Sequence, residues 1–270
     1  MRLALYRIIE EGAFFMRVEL LPSSQPPSDQ QFLVTYLIND RVAIDAGSIG
    51  LLADLKKQEQ VEHVFVTHQH IDHIATLPIL LENVYEPGPK SIEVLSAESV
   101  LNLLQKDLFN GRIWPDFLAL STPEDPFLVT TPLEAGKPVH RCGLVVTPVP
   151  VSHAVPTLGL VIDDGEVVVA FPSDTGPTEE FWKHLNGLDR LDAVFLEISF
   201  PDCLADLAEK SGHHCTKTFV DELQKLKRPV RWIVVHRKPR YAEQIAYELA
   251  SHNISDVELI QPGKVYDFSA

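Results

Sequence analysis

The sequence predicts a single α/β domain, residues 1–270, in which two β-sheets face each other and helices cover the outer faces. Three observations support this fold class. A chain of 270 residues is long enough to bury one large core. Both halves run from β-type segments into strand–helix alternation, without a short-period repeat. Several predicted strands end at an Asp or a His, as expected where the buried strands of an α/β fold deliver polar side chains to a site.

The first half opens with β-type segments and then alternates strands with helices. The proline-rich segment 22–29 cannot hold a central strand or helix, so it is predicted to be an exposed loop. Asn39-Asp40 predicts the tight turn of a hairpin, and the apolar spacing becomes helical from Ile71 onward. The predicted strands are 3–9, 14–21, 32–38, 41–45, 61–66 and 92–95, and the predicted helices are 50–58, 71–84 and 97–109.

The second half follows a similar plan around a loop-rich middle. Residues 113–117 are aromatic and interrupted by proline, which is typical of a surface-loop insertion, and residues 123–138 are predicted to be loop with a short strand. Asp163-Asp164-Gly165 predicts a hairpin turn. The predicted strands are 144–149, 157–162, 167–171, 193–197, 232–235, 257–260 and 265–268, and the predicted helices are 178–185, 216–226 and 242–251.

Charge and cysteine content limit the expected partners and compartment. Asp and Glu total 38 against 23 Lys and Arg, a net charge of −15 that disfavours a long nucleic-acid partner. Three cysteines without CxxC spacing fit a reducing compartment. The amino terminus does not resemble a signal peptide, and no run of about 18 uncharged apolar residues occurs. The expectation is a cytoplasmic protein with no membrane partner, and a homodimer is the default oligomer.

The densest chemical signal follows the strand predicted at 61–66. His68, His70, Asp72 and His73 fall within six consecutive residues. His68 and His70 are two residues apart on an extended loop and can point the same way, whereas Asp72 and His73 leave from the first turn of the next helix. This pattern predicts a metal site.

Later strand ends supply the remaining ligands. His153 can complete a first set with His68 and His70, His236 can complete a second with Asp72 and His73, and the two oxygens of Asp174 can bridge both. Two ions about 3.5–4 Å apart would share a hydroxide for attack on the substrate. Imidazole and carboxylate ligands suit two divalent ions, with zinc the first expectation and manganese or iron the alternatives.

The order of these residues resembles the metallo-β-lactamase superfamily across nearly the whole chain. The matching pattern is Asp45, Thr67-His68-x-His70-x-Asp72-His73, His153, Asp174 and His236. The resemblance implies an αββα sandwich of two mixed β-sheets with a dinuclear site at one edge. It also implies that Asp45 orients the ligands from behind, and Thr67 and Thr216 are expected to support the site in the same way, with Thr216 capping the helix that follows.

Flanking segments are similar to those of class II cyclic-nucleotide phosphodiesterases. The similarity covers residues 68–78, 113–117, 173–178, 197–201 and 236–239, although the glycine-rich opening of many relatives is replaced here by residues 21–29. The segment 212–216 is similar to a His-x-Thr segment of that branch and of related tRNA 3′-end nucleases, which favours His214 over His213 as the matching histidine. Asp72 and His214 are therefore the expected catalytic residues, and Trp114 or Phe117 is expected to stack on a base.

The predicted function is hydrolysis of a small phosphodiester, a 3′,5′-cyclic nucleotide, with His214 stabilising the phosphate or protonating the departing ribose oxygen. One alternative is another hydrolase of the superfamily, either a tRNA-processing nuclease or an ester or lactone hydrolase. The other is a non-catalytic module that binds metal or nucleotide. The sequence shows no Gly/Lys-rich insertion of the kind a nuclease uses for RNA, and the complete ligand set disfavours a binding module.

Overall fold

The computed structural model of the protein describes residues 16–24, 28, 30–252, 254 and 256–269. The strand predicted at 3–9 lies outside the described residues, as does part of the loop predicted at 22–29.

Within the described residues, the first β-sheet has seven strands. Their order is β14 (Val265–Phe268), β1 (Met16–Leu20), β2 (Tyr36–Ile38), β3 (Val42–Ile44), β4 (His63–Phe65), β5 (Ile92–Ala97) and β6 (Leu128–Leu133). The pairs from β14 to β3 are antiparallel, and those from β3 to β6 are parallel. Asn39 and Asp40 form the predicted turn between β2 and β3 with φ of 49° and 58°, a left-handed conformation that Asn and Asp tolerate better than other residues with side chains.

The second β-sheet also has seven strands and mirrors this arrangement. Their order is β13 (Val257–Leu259), β12 (Arg231–Val235), β11 (Ala193–Glu197), β10 (Val168–Ser173), β9 (Leu158–Asp163), β8 (Leu144–Pro150) and β7 (Val139–Arg141). The pairs from β7 to β10 are antiparallel, and those from β10 to β13 are parallel. The predicted pair of mixed sheets is therefore confirmed.

Helices cover both outer faces. Beside the first sheet lie α1 (Leu55–Glu59), α2 (Ile71–Ile74), α3 (Leu77–Val84), α4 (Glu98–Leu103) and α5 (Phe117–Leu120); after β10 come α6 (Glu180–Asn186), α7 (Ala205–Ser211), α8 (Thr216–Leu223) and α9 (Ala242–Ser251). Among the described residues, no helix is long and apolar enough to cross a membrane.

Three apolar layers hold the sandwich together, because alternate residues of each strand face opposite sides. Phe65 of β4 joins the central core between the sheets, whereas its neighbours Val64 and Val66 pack with the helices outside the first sheet. The third layer lies outside the second sheet, where Trp182 of α6 and Ile245 of α9 are buried. The chain thus forms the αββα layers that were expected.

Several element boundaries differ from the sequence prediction. The helix predicted at 50–58 is a 3-10 turn, Ile49–Leu51, followed by α1, which begins after the capping side chain of Asp54. The helix predicted at 97–109 is α4 continued by a π-helical turn, Leu104–Leu108. Three short elements, α5, α7 and β7, were not predicted, because segments of three to seven residues carry too little periodicity to be recognised.

The strand directions bring one set of strand ends together. The parallel strands β3 and β4 of one sheet and β10, β11 and β12 of the other all end at the same edge of the sandwich as β8. The residues that follow these strands therefore meet across the gap between the two sheets.

Candidate metal centre

Seven predicted ligands converge at this edge. They form two groups, within each of which the candidate ligand atoms all lie within 4.8 Å of one another: His68, His70, His153 and Asp174, and then Asp72, His73, Asp174 and His236. The loop after β4 supplies His68 and His70, and α2 supplies Asp72 and His73. The other three ligands follow β8, β10 and β12.

Backbone strain marks three strand ends of the site. Asp45, Ser173 and His236 have φ of 61°, 61° and 54°, in the left-handed region that side chains disfavour. A non-glycine residue held there costs about 1–3 kcal/mol and persists where the surroundings enforce it. The strained residues turn the chain sharply as β3, β10 and β12 end, which aims their polar groups into the site.

Gly47 lets α2 approach the end of β3. The backbone N–H of Ala46 donates to the carbonyl of His73 at 2.7 Å. A Cβ at Gly47 would lie only 2.0 Å from the carbonyl oxygen of Asp72. A side chain at this position would therefore displace the turn that carries Asp72 and His73.

The first group has the spacing of a coordination shell. Nε2 of His68 lies 3.1 Å from Nδ1 of His70, and Nε2 of His153 lies 3.2 Å from that same atom. Nitrogens bound to one zinc at 2.0–2.1 Å with tetrahedral angles would stand roughly 3.3–3.4 Å apart. The three rings therefore present their nitrogens to a common point.

The second group shares Asp174 with the first. Nε2 of His73 lies 3.3 Å from Oδ2 of Asp174, and Nε2 of His236 lies 3.5 Å from its Oδ1. Oδ2 of Asp174 is also 3.8 Å from Nε2 of His68. Asp72 closes the group with Oδ2 at 3.3 Å from Nε2 of His236. Asp174 therefore lies in both groups, and its role as a bridging ligand stays a prediction.

A buried hydroxyl fixes the ring of His68. Oγ1 of Thr67 lies 3.0 Å from Nδ1 of His68 and 3.0 Å from each carboxylate oxygen of Asp45, and it accepts a hydrogen bond from Ser173 at 2.9 Å. Because the hydroxyl has one proton, which Asp45 accepts, Nδ1 of His68 must donate to it. Nε2 of His68 is then left with its lone pair toward the site. Asp45 and Thr67 therefore lie behind the ligands and hydrogen-bond to them, which is the arrangement that their predicted supporting role needs.

The remaining ring orientations are set in the same way. Nδ1 of His73 donates to Asp45 at 2.7 Å, and Nδ1 of His153 donates to the carbonyl of Gly212 at 2.7 Å. Nδ1 of His236 lies 3.0 Å from the hydroxyl of Ser199. Such bonds from the outer nitrogen fix the tautomer that binds metal through Nε2.

The pKa shifts of the buried histidines and carboxylates indicate that the site favours a bound positive charge. Burial, reinforced by His73, lowers the pKa of His68 well below its ordinary value. Burial also disfavours protonation of His73, but Asp174 and Asp45 outweigh it and raise the pKa of His73 well above its ordinary value. Burial opposes ionisation of Asp174, yet His236 and His73 hold its pKa well below the ordinary value. The surrounding imidazoles thus favour the ionised form of Asp174, whereas burial raises the pKa of Asp45 behind them.

The donor set fits divalent cations. Nε2 of His73 is buried beside Oδ2 of Asp174, at 3.3 Å, and has no well-formed hydrogen bond within the described part of the chain, as expected of an atom that binds a cation. Imidazole nitrogens and carboxylate oxygens, without a thiolate, suit zinc, manganese or iron. The ligand assignment for each residue stays a prediction, which metal analysis of variants can test.

His213, not His214, lies beside the metal ligands. The ring of His213 lies 4.9 Å from that of His153 and stacks on that of His236 at 5.6 Å, measured between centroids. His214 is fully buried on the other side, with Nδ1 3.1 Å from Oγ1 of Thr218. The preference for His214 is therefore corrected: residues 213 and 214 lie on extended chain next to the bridge between Phe200 and Cys215, where successive side chains point to opposite sides.

Thr216 does not cap its helix. The residue that precedes α8 is Cys215, whose backbone N–H donates to Oγ1 of Thr218 at 3.0 Å in a capping box. The hydroxyl of Thr216 instead donates to Glu248 of α9 at 2.9 Å. Thr216 thus joins two helices and does not contact the site.

Trp114 and Phe117 also lie away from the ligands. Phe117 is 4% exposed and stacks on Phe109 at 5.5 Å and on Phe127 at 4.9 Å between centroids. Trp114 packs against the same apolar layer outside the first sheet. Burial in the apolar layer argues against base stacking on Phe117, whereas Trp114 is only partly buried and its stacking stays a prediction.

Sequence reasoning missed a supporting pair at the end of β11. Oε1 of Glu197 lies 2.6 Å from Nδ1 of His213, and its Oε2 accepts a hydrogen bond from Ser199 at 2.7 Å. Burial opposes protonation of His213, but Glu197 raises its pKa. Glu197 ends a buried strand just as the residues around Asp174 end β10, and this position was the signal that could have identified it.

The comparison with protein families is decisive at this point. Residues 41–236, more than half of the chain, match the model described as "Beta-lactamase superfamily domain". The chain belongs to this superfamily. The matched range includes all seven candidate ligands together with Asp45, Thr67, Glu197 and His213.

Individual relatives agree on the fold and differ in activity. The chain is 23% identical over 253 residues to 3′,5′-cyclic-nucleotide phosphodiesterase 1 of Saccharomyces cerevisiae, covering 77% of this chain and 66% of the yeast protein. It is also 23% identical over 239 residues to ribonuclease Z of Methanocaldococcus jannaschii, covering 72% of this chain and 75% of that one. The chain thus spans just under two thirds of the length of the yeast relative.

The fold can also be compared with that of a solved structure. The metallo-β-lactamase fold protein YhfI of Bacillus subtilis superposes with a TM-score of 0.69 at 15% identity, covering 94% of this chain and 99% of that chain. The predicted membership and fold are therefore confirmed. The chain has the metallo-β-lactamase fold and is similar to a cyclic-nucleotide phosphodiesterase and to ribonuclease Z.

Proposed function

We propose that this chain is a dinuclear-metal phosphodiesterase that hydrolyses 3′,5′-cyclic nucleotides. The observation that carries the proposal is the position of His213. Its ring lies beside a ligand of each group, His153 at 4.9 Å and His236 at 5.6 Å. Its Nδ1 is engaged by Glu197, which leaves Nε2 as the nitrogen that gives up a proton.

Hydrolysis of a nucleotide phosphodiester needs a proton donor of this kind. The departing ribose oxygen would be a strongly basic alkoxide, so protonation of this oxygen as its bond to phosphorus breaks raises the rate, typically by about 10²–10⁴-fold. The carboxylate of Glu197 holds the His213 ring in place and stabilises its protonated form. His213 therefore takes the part that was expected of His214.

The two groups of ligands would serve the attacking water and the phosphate group of the substrate. His68, His70 and His153 would hold one ion, Asp72, His73 and His236 the other, and Asp174 would contact both. When bound, such ions supply activation of water and neutralisation of charge on the phosphate oxygens. Asp45, Thr67, Ser199 and the carbonyl of Gly212 keep the imidazoles in the required orientation.

The charge of the chain favours a small substrate. A net charge of −15 repels an extended phosphate backbone, whereas a cyclic nucleotide carries a single phosphate that local cations can hold. The yeast relative, a cyclic-nucleotide phosphodiesterase, supports this choice. The equally similar archaeal ribonuclease Z supports a second candidate, cleavage of tRNA precursors.

A substrate panel on metal-replete protein tests the proposal. Cyclic AMP, cyclic GMP, a 2′,3′-cyclic nucleotide, bis(p-nitrophenyl) phosphate, a p-nitrophenyl ester and a tRNA precursor are compared, with metal content measured on the same sample. We expect kcat/KM of about 10⁴ M⁻¹s⁻¹ or more for at least one 3′,5′-cyclic nucleotide. Efficient cleavage of the tRNA precursor alone would establish the second candidate instead, and hydrolysis of the ester alone would refute both.

A further inference from the structure

Lys238 places a cation at the edge of the second ligand group. Its Nζ lies 3.7 Å from Oδ2 of Asp72, and the same oxygen lies 3.3 Å from Nε2 of His236. Asp72 has the most exposed side chain of that group, at 24%, and the side chain of Lys238 is 35% exposed. The ammonium therefore lies where the second ligand group opens to solvent.

The backbone of Lys238 is held in place on both sides. Its φ of −60° and ψ of 125° are the extended conformation that a following proline, Pro239, favours, and its carbonyl accepts a hydrogen bond from the N–H of Tyr241 at 2.8 Å. Two residues earlier, the backbone N–H of His236 donates to Oε1 of the buried Gln31 at 3.1 Å. The side chain of Lys238 thus starts from a fixed point beside the site.

The contact with Asp72 leaves the donors of this ammonium available. A separation of 3.7 Å is longer than a hydrogen bond, and the ammonium donates none to another described residue. Lysines elsewhere in the chain pair directly with carboxylate oxygens: the distances from Nζ are 2.5, 2.6 and 2.5 Å for Lys57, Lys225 and Lys264. Lys238 therefore has three N–H groups with which it can bind another anion.

The charge of Lys238 also reaches the proton donor of the proposed reaction. Burial disfavours protonation of His213 and Glu197 outweighs it, and the ammonium of Lys238 is a weaker influence that lowers the pKa of this ring. The ring of His213 lies 5.6 Å from that of His236 between centroids. A phosphate held between the second ligand group and His213 would therefore lie within reach of Lys238.

We propose that Lys238 binds the phosphate of the substrate and selects anionic phosphodiesters over neutral esters. The inference rests on the proposed function for the reaction, and it adds the residue that recognises the charge of the substrate. An ammonium forms a stronger hydrogen bond with an anionic oxygen than with a neutral one. A local cation matters in this chain because its net charge of −15 repels an approaching anion.

Equilibrium binding of inorganic phosphate tests the inference without requiring turnover. Metal-loaded protein is titrated calorimetrically, and metal content is measured on the same sample. In Lys238→Gln the affinity for phosphate should fall about tenfold at unchanged metal content, because a charge-assisted hydrogen bond is lost. Lys238→Arg keeps the charge and the donors, so its affinity should stay within about threefold of that of the unmodified protein.

A matched control separates this local effect from the change in net charge. Lys137 is 69% exposed in the segment between β6 and β7, and Lys137→Gln should leave the affinity for phosphate unchanged. Steady-state kinetics give a second readout: in Lys238→Gln, KM for bis(p-nitrophenyl) phosphate should rise about tenfold while kcat changes less than about threefold.

Three results would overturn the inference. The first is an unaltered phosphate affinity and KM in Lys238→Gln. The second is a loss of metal from this variant, which would show that Lys238 supports the ligands. The third is tighter metal binding with unaltered phosphate affinity, which would leave Lys238 only the role of a charge partner of Asp72.

The two proposals fail in different ways. A phosphate affinity that depends on Lys238, in a protein that hydrolyses no cyclic nucleotide, would refute the proposed function and retain Lys238 as an anion-binding residue. Hydrolysis of a cyclic nucleotide with the same KM in the unmodified protein and in Lys238→Gln, together with equal phosphate affinities, would retain the function and refute the role of Lys238.

Discussion

The two ends of the sandwich bring together similar side chains, but one end forms a candidate metal centre and the other an ion-paired network. At one edge, histidines and carboxylates from both sheets form the candidate metal centre. At the opposite edge, Glu62 and His63 at the start of β4 and Cys142 in the turn between β7 and β8 also lie with their ligand atoms within 4.8 Å of one another. Both ends therefore satisfy a purely geometric description of a metal site.

The difference is where the positive charge comes from. At the opposite edge, Arg141 lies 2.6 Å from Glu93 and Arg41 lies 2.6 Å from Glu62, so the chain itself neutralises the carboxylates. His63 adds a contact of 2.9 Å to Glu93. At the metal edge, the buried carboxylate of Asp174 instead faces the imidazoles of His73 and His236, at 3.3 and 3.5 Å, and Lys238 approaches Asp72 at 3.7 Å.

The comparison shows that residue type and proximity do not by themselves define a metal site. One end is an ion-paired network that ties the two sheets together. At the other, the partners of the buried Asp174 are imidazoles, which are themselves metal ligands when neutral, so this arrangement suits a cation taken from solution. The predictions that follow test this distinction.

The largest expected effect is at Asp174. Asp174→Asn keeps the shape of the side chain but removes the charge that serves both groups, so we expect metal content to fall from about two ions per chain to less than one. Hydrolysis of bis(p-nitrophenyl) phosphate should fall about 10³-fold. Glu93→Gln, which removes a carboxylate at the opposite edge, should keep both metal content and turnover. A Glu93→Gln variant that lost metal would erase the distinction between the two ends.

The next effect separates the adjacent histidines. His213→Asn should lower kcat for a cyclic nucleotide about 10²-fold with metal content unchanged, because the ribose oxygen loses its proton donor. Bis(p-nitrophenyl) phosphate should be affected less than about tenfold, since its leaving group needs no proton. The matched variant His214→Asn should alter thermal stability and leave kcat within about twofold. Equal losses for both substrates would indicate that His213 only shapes the site.

Removal of the metal should destabilise the protein, and the lost stability should come only from the edge of the sandwich that carries Asp174. A ligand at 100 times its Kd adds about 2.7 kcal/mol of stability, which corresponds to roughly 5–10 °C in Tm for a chain of this size. Scanning calorimetry of chelated and metal-replete protein measures this shift. Asp174→Asn should abolish it, and Glu93→Gln should retain it. Retention of the full shift in Asp174→Asn would place the stabilising ion elsewhere.

The smallest effect concerns acid stability at the opposite edge. Arg141 lowers the pKa of Glu93 to about 2. Because the folded pKa is depressed, the pair contributes stability above the ordinary pKa of a glutamate, and this contribution is lost as the pH falls toward about 2. Urea unfolding of Arg141→Gln should therefore show a deficit at pH 7, under about 1 kcal/mol after solvent screening, that shrinks by pH 3.

A surface pair provides the control for this measurement. Lys137 is 69% exposed beside Glu134, so Lys137→Gln should show no deficit at either pH. A deficit in Arg141→Gln that stayed constant from pH 7 to pH 3 would contradict the assignment of the pKa shift to Arg141.

The sequence by itself determined the local part of the site. His68, His70, Asp72 and His73 lie within one short segment, so their spacing and the helix that starts at Ile71 indicated which side chains share a face. Strand ends predicted the positions of His153, Asp174 and His236, because buried strands expose polar groups only where they end. The layered fold followed from the alternation of strands and helices.

Only the tertiary structure decided the rest. The choice between His213 and His214 depends on which side of a single bridge to Phe200 each ring occupies, and no spacing encodes this side. Phe117 could have lain on the site or in the core, and packing against Phe109 and Phe127 decided for the core. Likewise, Glu62 and Asp174 are similar carboxylates in sequence, and what separates their roles is whether an arginine from a distant segment lies beside them. These features depend on contacts between residues far apart in the chain, which form only when the two sheets pack together.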